Sequence, residues 1–372
     1  MFQQITQLPM EKKIGQLFFV GVSGFEITTN EQQFLEDISP GGVCLFTRNI
    51  RSAEQTRRFL SGIREVLPIE PLLSLDQEGG TVDRLRRIIT PMPSAASIQT
   101  TEDAENLAII TNEVLRMLGF NMNFAPVVDV TDEHRGNSAN GLYSRAFGNS
   151  KETVVELAGA YLEALQKGGC LGCVKHFPGL GASQTDSHED LPIVNLTRKD
   201  LFAADLFPYL ELFKTAQVHA VMIAHASYPL FDLQETDVNG KLLPSSLSVK
   251  IIDNLLRREM GFQGLVISDD LEMGAILKNY GIGDACIMAI NAGVDMLSIC
   301  ADADTVRKGF TAVVEAVKSG EIKETRIDES LKRIAHIKSL IQPPLPLDTA
   351  RLQILSQQIA ELNKKVNYSY GG

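Results

Sequence analysis

Residues 150–176, SKETVVELAGAYLEALQKGGCLGCVKH, contain an amphipathic helical pattern followed directly by a candidate strand. Apolar side chains recur at helical spacing and define one face of this helix: Val154, Leu157, Ala158, Tyr161, Leu162 and Leu165. Gly168 and Gly169 are expected to end the helix. The mostly apolar run Gly172–Lys175 then has the length and character of a buried strand. A helix and a strand in this order form a repeating unit of α/β folds.

The same alternation of short apolar runs and longer amphipathic stretches extends along the chain in both directions. The candidate strands are Leu17–Val22, Gly42–Phe46, Leu72–Leu75, Met122–Val127, Gly172–Lys175, Ala220–Ala224, Leu265–Ser268 and Asp295–Ile299. Between them, Thr197 and Asp200 resemble a capping box at a helix start, and residues 248–259 have helical spacing. Strands separated by helices predict a parallel sheet covered by helices. Because open sheets of this kind have fewer strands, we predict a single α/β domain, a closed (β/α)8 TIM-type barrel.

The regular alternation stops near residue 341, and the chain after it has a different character. Residues 342–346 read QPPLP, which interrupts both helix and strand patterns. Beyond this turn, apolar residues at helical spacing predict a terminal amphipathic helix: Leu352, Leu355, Ile359 and Leu362. We therefore expect a barrel over residues 1–341 and a C-terminal helical extension over residues 342–372 that packs on it. A dimer contact is the alternative role for this helix, and the sequence leaves the oligomeric state undefined.

The composition restricts the classes of partner. The 372-residue chain is 44% hydrophobic and 22% charged, which is typical of a globular protein with a large core. Its formal charge of -11 argues against nucleic acid or an anionic membrane as the main partner, since both require a basic surface. The first residues lack the pattern of a signal peptide, and no apolar run reaches the length of a membrane span. We therefore expect a cytoplasmic protein.

The cysteines predict neither a disulfide framework nor a metal site. There are five, an odd number spread through a long chain. Cys170 and Cys173 form a lone CxxC pair at the junction between the helix and the strand quoted above. No second pair or histidine cluster completes a zinc site, so we interpret both residues as buried thiols and expect no metal.

Unusual polar residues fall where the predicted strands end. In chain order they are Asp76, with Arg84 shortly after it, then Asn123, Asp129, Lys175, His176, His225, Asp269 and Asp270. Any one of them alone is typical of turn chemistry or of a satisfied hydrogen bond. In a (β/α)8 barrel, however, side chains at the carboxyl ends of the strands meet at one face, which holds the catalytic residues. The joint pattern therefore predicts an active site at that face.

Two sets of residues have the chemistry for proton transfer and nucleophilic attack. Asp186 and His188 are two residues apart, close enough for the carboxylate to hold the imidazole and set its tautomer. A histidine oriented in this way can donate or accept a proton near neutral pH. Asp269 follows a buried strand, where a carboxylate requires partners. Asp270 competes for the role of nucleophile, and strand alternation predicts that only one of the two faces the barrel mouth.

Four motifs give the chain a resemblance to a known family: DQEGGTVDRL (76–85), NFAPVVDV (123–130), KHFPGLGASQTDSHEDLP (175–192) and VISDDLEMGA (266–275). They are similar to the signatures of glycoside hydrolase family 3, closest to its β-N-acetylglucosaminidase branch, from about Lys12 to Ala301. The resemblance implies a retaining exo-acting hydrolase of terminal β-linked N-acetylglucosamine that requires neither metal nor organic cofactor. For a cytoplasmic enzyme it implies small carbohydrate substrates derived from cell-wall muropeptides.

The resemblance also implies roles for individual residues. Asp269 is the implied nucleophile, and His188, supported by Asp186, is the implied mobile acid/base. Five residues match positions that hold the sugar hydroxyls: Asp76, Arg84, Arg145, Lys175 and His176. Three residues depart from the family pattern: Leu180 for a frequent His, Thr81 for a frequent Arg and Ala146 for a typical Ser. These departures leave the fine substrate preference and the resting position of the 179–190 loop open.

Three other functions compete with this interpretation. Two-domain β-glucosidases of the same family take a carboxylate acid/base from a second domain, whereas here the acid is expected on the barrel itself, in Asp186-Ser187-His188. A phosphorylase would transfer the sugar to phosphate, and a histidine acid/base, unlike a carboxylate, does not repel that anion. A non-catalytic sugar-binding barrel would have no need for a nucleophile such as Asp269.

Overall fold

The computed structural model describes residues 1–131, 141–142, 144–183, 187, 190–215 and 217–370. Its centre is a sheet of eight strands: β1 Phe18–Gly21, β2 Gly42–Cys44, β3 Leu72–Ser74, β4 Met122–Asn123, β5 Leu171–Phe177, β6 Ala220–Ile223, β7 Leu265–Asp270 and β8 Met296–Ile299. Neighbouring strands are parallel, in the order β3-β2-β1-β8-β7-β6-β5-β4. Each strand overlaps one of the runs predicted from the sequence.

The two strands at the ends of this order meet and close the sheet into a barrel. The N–H of Asn121 donates to the carbonyl of Leu73 at 3.1 Å, and the N–H of Phe124 donates to the carbonyl of Leu75 at 3.0 Å. The side chain of Asn121 also accepts the N–H of Leu73 and donates to the carbonyl of Pro71. Closure brings the carboxyl ends of all the strands to one face. The predicted (β/α)8 barrel is therefore confirmed.

Helices surround the barrel. They are α1 Phe2–Thr6, α2 Met10–Gly15, α3 Thr29–Ile38, α4 Ala53–Val66, α5 Thr101–Leu118, α6 Lys151–Lys167, α7 Arg198–Ala203, α8 Phe207–Thr215, α9 Gly274–Leu277, α10 Ile282–Ala292, α11 Ala303–Ser319, α12 Glu324–Ser339 and α13 Thr349–Lys365. The predicted capping box is present at α7, where Thr197 and Asp200 each accept the other's backbone N–H. Residues 250–259, expected to be helical, form a π-helix. In the described part of the chain, none of these helices combines the length and apolar character of a membrane span.

The C-terminal helix α13 packs against α5 of the barrel. Its apolar side chains are buried at this contact: Leu352, Leu355, Ile359 and Leu362. Arg351 forms two bonds with the carboxylate of Glu113 on α5, at 2.5 and 2.6 Å. The hydroxyls of Ser356 and Thr90 are 2.7 Å apart. These contacts hold the helix on its own barrel. The division of the chain into a barrel over residues 1–341 and an extension over residues 342–372 stays a proposal.

The cysteines have the character of core residues. All five are buried, and none of them forms a disulfide bond. Burial raises the pKa of the Cys170 and Cys173 thiols, which agrees with the interpretation of this pair as inert buried side chains. Within the ranges described above, no group of three or more His, Cys, Asp or Glu side chains is arranged to hold a metal ion.

Candidate active site

The carboxyl ends of the strands surround a cavity of about 310 Å³. Six of the residues selected from the sequence line it: Asp76, Arg84, Arg145, Lys175, His176 and Asp269. The other two, Asp186 and His188, lie outside the described residues. Ser187, which separates them in the chain, is described and lines the cavity. The volume is at the lower end of the range for small-molecule sites.

An ion-pair network forms one wall of this cavity. Lys175 Nζ lies 2.7 Å from Asp76 Oδ1 and 2.5 Å from Glu78 Oε1. Arg145 donates two bonds to Glu78, from Nε to Oε2 at 2.7 Å and from Nη2 to Oε1 at 2.9 Å. Arg84 adds a longer contact, with Nη2 3.7 Å from Asp76 Oδ2. Glu78 therefore lies at the centre of the network, although it was not among the residues selected from the sequence.

Glu78, Arg145 and Lys175 are held in their charged forms by their neighbours in this network. Burial alone would raise the pKa of Glu78, but Arg145 and Lys175 hold it well below its usual range. Burial alone would lower the pKa of Lys175, but Asp76 and Glu78 raise it above its ordinary value. The cavity thus presents charged donors and acceptors whose orientation is already fixed. Such groups suit a ligand that offers hydroxyl, amide and ring-oxygen atoms.

Asp269 and Asp270, at the end of β7, both line the cavity. Strict strand alternation would place only one of them at the barrel mouth, and the residues that line the cavity include both. The pairing of β7 with β8 gives the reason. Ile267 pairs with Met296 and Asp270 pairs with Ser298, so an advance of three residues along β7 lies opposite an advance of two along β8. This irregularity is a β-bulge, which breaks the two-residue alternation and redirects side chains.

The two adjacent carboxyl groups differ in protonation. Burial alone would raise the pKa of Asp269, but the hydrogen bond from the N–H of Asp270 and the nearby charge of Lys175 are among the effects that favour its ionised form, and the pKa is lowered. Burial raises the pKa of Asp270 to about 7. The N–H of Asp270 donates to Asp269 Oδ1 at 2.8 Å. Asp269 is therefore an oriented anion at neutral pH, whereas Asp270 is half or more protonated at and below pH 7.

Two further residues position the site from outside the cavity lining. Asp129 holds His176, with Oδ2 2.7 Å from the imidazole Nδ1. His225 supports the bulge, because its Nε2 donates to the carbonyl of Asp270 at 3.0 Å while its Nδ1 lies 2.7 Å from Ser246 Oγ. Both residues had been noted at strand ends, but the sequence did not indicate what they would contact.

One of the three departures from the family pattern reaches the cavity. Leu180 is buried and lines it, which makes part of the wall apolar. Thr81 is exposed, with its hydroxyl 3.5 Å from Ser144 Oγ. Ala146 is fully buried. Of the three, Leu180 is therefore the one placed to affect substrate preference.

A closed barrel with a polar, carboxylate-bearing cavity at the carboxyl ends of its strands has the architecture of a (β/α)8-barrel enzyme, and paired carboxylates in such a cavity are compatible with glycoside hydrolysis. A family model described as the glycosyl hydrolase family 3 N terminal domain matches residues 9–337. The chain therefore belongs to glycosyl hydrolase family 3.

The chain is similar to named relatives in sequence and to solved structures in fold. The chain is 32% identical over 347 residues to a β-hexosaminidase of Psychromonas ingrahamii, covering 90% of this chain and 96% of that protein. It is 33% identical over 300 residues to a β-hexosaminidase of Pseudomonas aeruginosa, covering 78% and 84%. A solved family 3 β-N-acetylglucosaminidase from Paenibacillus sp. str. FPU-7 superposes with a TM-score of 0.85 at 32% identity, covering 95% of this chain and 69% of that one. The predicted family and branch are confirmed.

Proposed function

We propose that this chain is a retaining exo-β-N-acetylglucosaminidase, which releases terminal β-linked N-acetylglucosamine by double displacement. The observation that carries the proposal is the ionised Asp269, which lies in a small cavity among oriented polar groups at the carboxyl face of the barrel. The relatives named β-hexosaminidase and β-N-acetylglucosaminidase support the choice of sugar. A non-catalytic sugar-binding barrel would not require such an anion.

Asp269 is the proposed nucleophile. Its lowered pKa keeps it ionised at neutral pH, whereas the raised pKa of Asp270 makes that neighbour the poorer anion. The N–H of Asp270 fixes one oxygen of Asp269, and the other oxygen attacks the anomeric carbon. The attack breaks the bond to the aglycone and forms a glycosyl-enzyme, which water then hydrolyses. Two inversions at the same carbon return the β configuration.

His188 is the proposed acid/base, with Asp186 holding its imidazole in the required tautomer. Both lie outside the described residues, so the assignment depends on the sequence motif. Ser187 supports it, because this residue lines the cavity and its carbonyl accepts the N–H of Ala275 at 3.3 Å. The imidazolium protonates the departing oxygen in the first step, and the neutral imidazole accepts a proton from water in the second.

Asp76, Arg84, Arg145, Lys175 and His176 are proposed to bind the hydroxyl groups of the sugar. Lys175 and Arg145 are already oriented by their carboxylate partners, so binding requires little rearrangement of the protein. A preformed site of this kind is expected to distinguish substrates by the polar groups that they present.

Two aryl substrates test the choice of sugar. We expect kcat/KM for p-nitrophenyl β-N-acetylglucosaminide to exceed that for the β-glucoside by about 100-fold or more, because the glucoside leaves acetamide-binding groups unpaired. The measurement is the initial rate of nitrophenol release under identical conditions. Faster cleavage of the glucoside would instead assign the chain to the β-glucosidases.

Product analysis in phosphate buffer completes this test. We expect free N-acetylglucosamine, released first as the β anomer, because water is the proposed acceptor. N-acetylglucosamine 1-phosphate as the main product would make the enzyme a phosphorylase. A neutral histidine would not repel the phosphate anion that accepts the sugar.

A His188→Ala variant tests the acid/base. We expect kcat/KM to fall by about 100-fold for a poor aryl leaving group and by much less for dinitrophenyl, which departs without protonation. The measurement is the dependence of kcat/KM on the pKa of the leaving phenol. Because kcat/KM reports the first displacement, slow deglycosylation does not obscure the result. An equal loss for every leaving group would contradict the acid role.

We further propose that the enzyme acts in the cytoplasm on N-acetylglucosaminides derived from muropeptides. The five free buried thiols are compatible with a reducing compartment, and the net charge of -11 disfavours nucleic acid and anionic membrane as partners. Release of N-acetylglucosamine from purified muropeptide disaccharides and cell fractionation would test the substrate and the location.

A further inference from the structure

Asp129 is a fully buried carboxylate that contacts two residues of the cavity lining. Its Oδ2 lies 2.7 Å from the Nδ1 of His176 and also accepts the backbone N–H of His176 at 3.3 Å. Its Oδ1 accepts the backbone N–H of Leu180 at 2.7 Å. One carboxylate therefore binds both the end of β5 and the turn that follows it.

The contacts of His176 determine which of its ring nitrogens carries the proton. The Nε2 atom lies 3.4 Å from Nη2 of Arg145. A guanidinium can only donate hydrogen bonds, so Nε2 must be the acceptor in this contact. The ring proton then resides on Nδ1, from which it is donated to Asp129. Asp129 thereby selects the tautomer that leaves the Nε2 lone pair directed at Arg145.

The second oxygen of Asp129 acts on a turn with little freedom. A Cβ atom added at Gly181 would lie 1.9 Å from the carbonyl oxygen of Val130, so the backbone passes directly against its neighbour there. The hydroxyl of Tyr228 donates to the carbonyl of Gly179 at 2.8 Å. The bond from Leu180 to Asp129 lies between these two contacts. The turn therefore has a fixed position relative to His176.

We propose that Asp129 is a positioning residue that sets the tautomer of the sugar-binding His176 and fixes the start of the segment leading to Asp186 and His188. It touches no reacting atom itself and acts through His176 and Leu180. This inference depends on the proposed function in one respect, the binding of sugar by His176. The tautomer of that histidine is independent of any assignment of substrate.

The tautomer can be measured in the unmodified protein. Nitrogen-15 NMR of histidine-labelled enzyme resolves protonated from unprotonated ring nitrogens, and a His176→Gln variant assigns the signals among the six histidines. We expect the neutral ring of His176 to carry its proton on Nδ1 and to have an unprotonated Nε2. An Nε2–H tautomer in the wild-type protein would overturn the proposal. Because no substrate is present, this result stands whether or not the enzyme cleaves N-acetylglucosaminides.

Asp129→Asn provides the matching perturbation. The amide oxygen can still accept the N–H of Leu180. The amide NH₂ then faces Nδ1 of His176, so this nitrogen must become the acceptor and the ring proton moves to Nε2. There the Nε2–H and the guanidinium of Arg145 are two donors that face each other. We expect the NMR signature to switch and kcat/KM for the aryl N-acetylglucosaminide to fall by about 10- to 100-fold, the scale of one charge-assisted hydrogen bond. His225 serves as the internal reference, with an unchanged spectrum.

A double-mutant cycle separates positioning from a general structural effect. In a His176→Gln background there is no imidazole tautomer to set, so Asp129→Asn should reduce kcat/KM by less than about 3-fold further. The same 10- to 100-fold loss in both backgrounds would show that Asp129 does not act through His176, and would overturn the proposal. If the asparagine variant fails to fold, the wild-type tautomer alone decides the question.

Discussion

Replacing Asp269 with asparagine is expected to reduce kcat on aryl N-acetylglucosaminides by about 10³-fold or more. The amide retains the shape of the carboxylate, and its oxygen can still accept the N–H of Asp270, which lies 2.8 Å from Asp269 Oδ1. It cannot attack the anomeric carbon as an anion, so no glycosyl-enzyme forms. The fold should persist, with a melting temperature close to that of the wild type. The measurement is kcat together with the thermal unfolding curve.

Asp270→Asn is the matched control, because the two residues are adjacent and line the same cavity. Its carboxyl is already half or more protonated at pH 7 and below, so conversion to the neutral amide changes the local charge least under those conditions. We therefore expect a smaller loss than for Asp269→Asn, within about tenfold. Full activity of the Asp269 variant with loss of activity in the Asp270 variant would reverse the assignment.

A truncated variant identifies the attacking position chemically. Asp269→Ala leaves a gap beneath the anomeric carbon, into which a small anion such as azide can enter. We expect azide to restore cleavage of an activated aryl substrate and to yield the α-glycosyl azide, because a single displacement inverts the configuration. Release of the β-azide, or restoration in Asp270→Ala instead, would contradict the role of Asp269.

The barrel could be predicted because its signal is local and repeated. Each strand is a short apolar run, and buried parallel strands require little else. The bounds of a strand were harder to predict where tertiary contacts extend it. The strand β5, predicted to end at Lys175, continues through His176 to Phe177. Apolar residues in 250–259 recur at a spacing that also fits an α-helix. The sequence therefore did not indicate that this helix is a π-helix.

Six of the residues selected from the sequence line the cavity, whereas the contacts within the site were less predictable. Strand ends identified the chemistry-bearing residues, because a closed barrel must bring them to one face. The bulge in β7 depends on pairing with β8 and has no local signal, so strand alternation predicted only one of Asp269 and Asp270 at the mouth. Glu78 had an available signal, since Asp76 and Glu78 are two residues apart and an extended segment directs both to the same side. Its partners could not be read from the sequence.

Glu78 is also a position where a single substitution should have a large effect on stability. Its carboxylate is almost fully buried and accepts bonds from Lys175 and Arg145 at 2.5 to 2.9 Å. Glu78→Gln preserves the volume but leaves two enclosed cations with one fewer anion. Removing one partner of a buried ion pair typically costs about 3–5 kcal/mol, because the remaining charge has lost its compensation. We expect the free energy of unfolding to fall by that amount and kcat/KM to fall as Lys175 and Arg145 lose their fixed orientation.

The pH dependence and a charge-balanced double variant distinguish this explanation from a simple packing defect. Because the pKa of Glu78 in the folded protein lies well below its ordinary value of 4.5, its contribution should be fully present above pH 4.5 and should decrease only as the solution becomes more acidic. Adding Lys175→Met to Glu78→Gln removes the excess cation, so we expect stability to recover in part while activity does not. Chemical denaturation of the wild type and both variants, at pH 7 and at pH 4, measures these differences. Equal stability of wild type and Glu78→Gln at pH 7 would mean that Asp76 alone compensates both cations, and the central role of Glu78 in the network would be wrong.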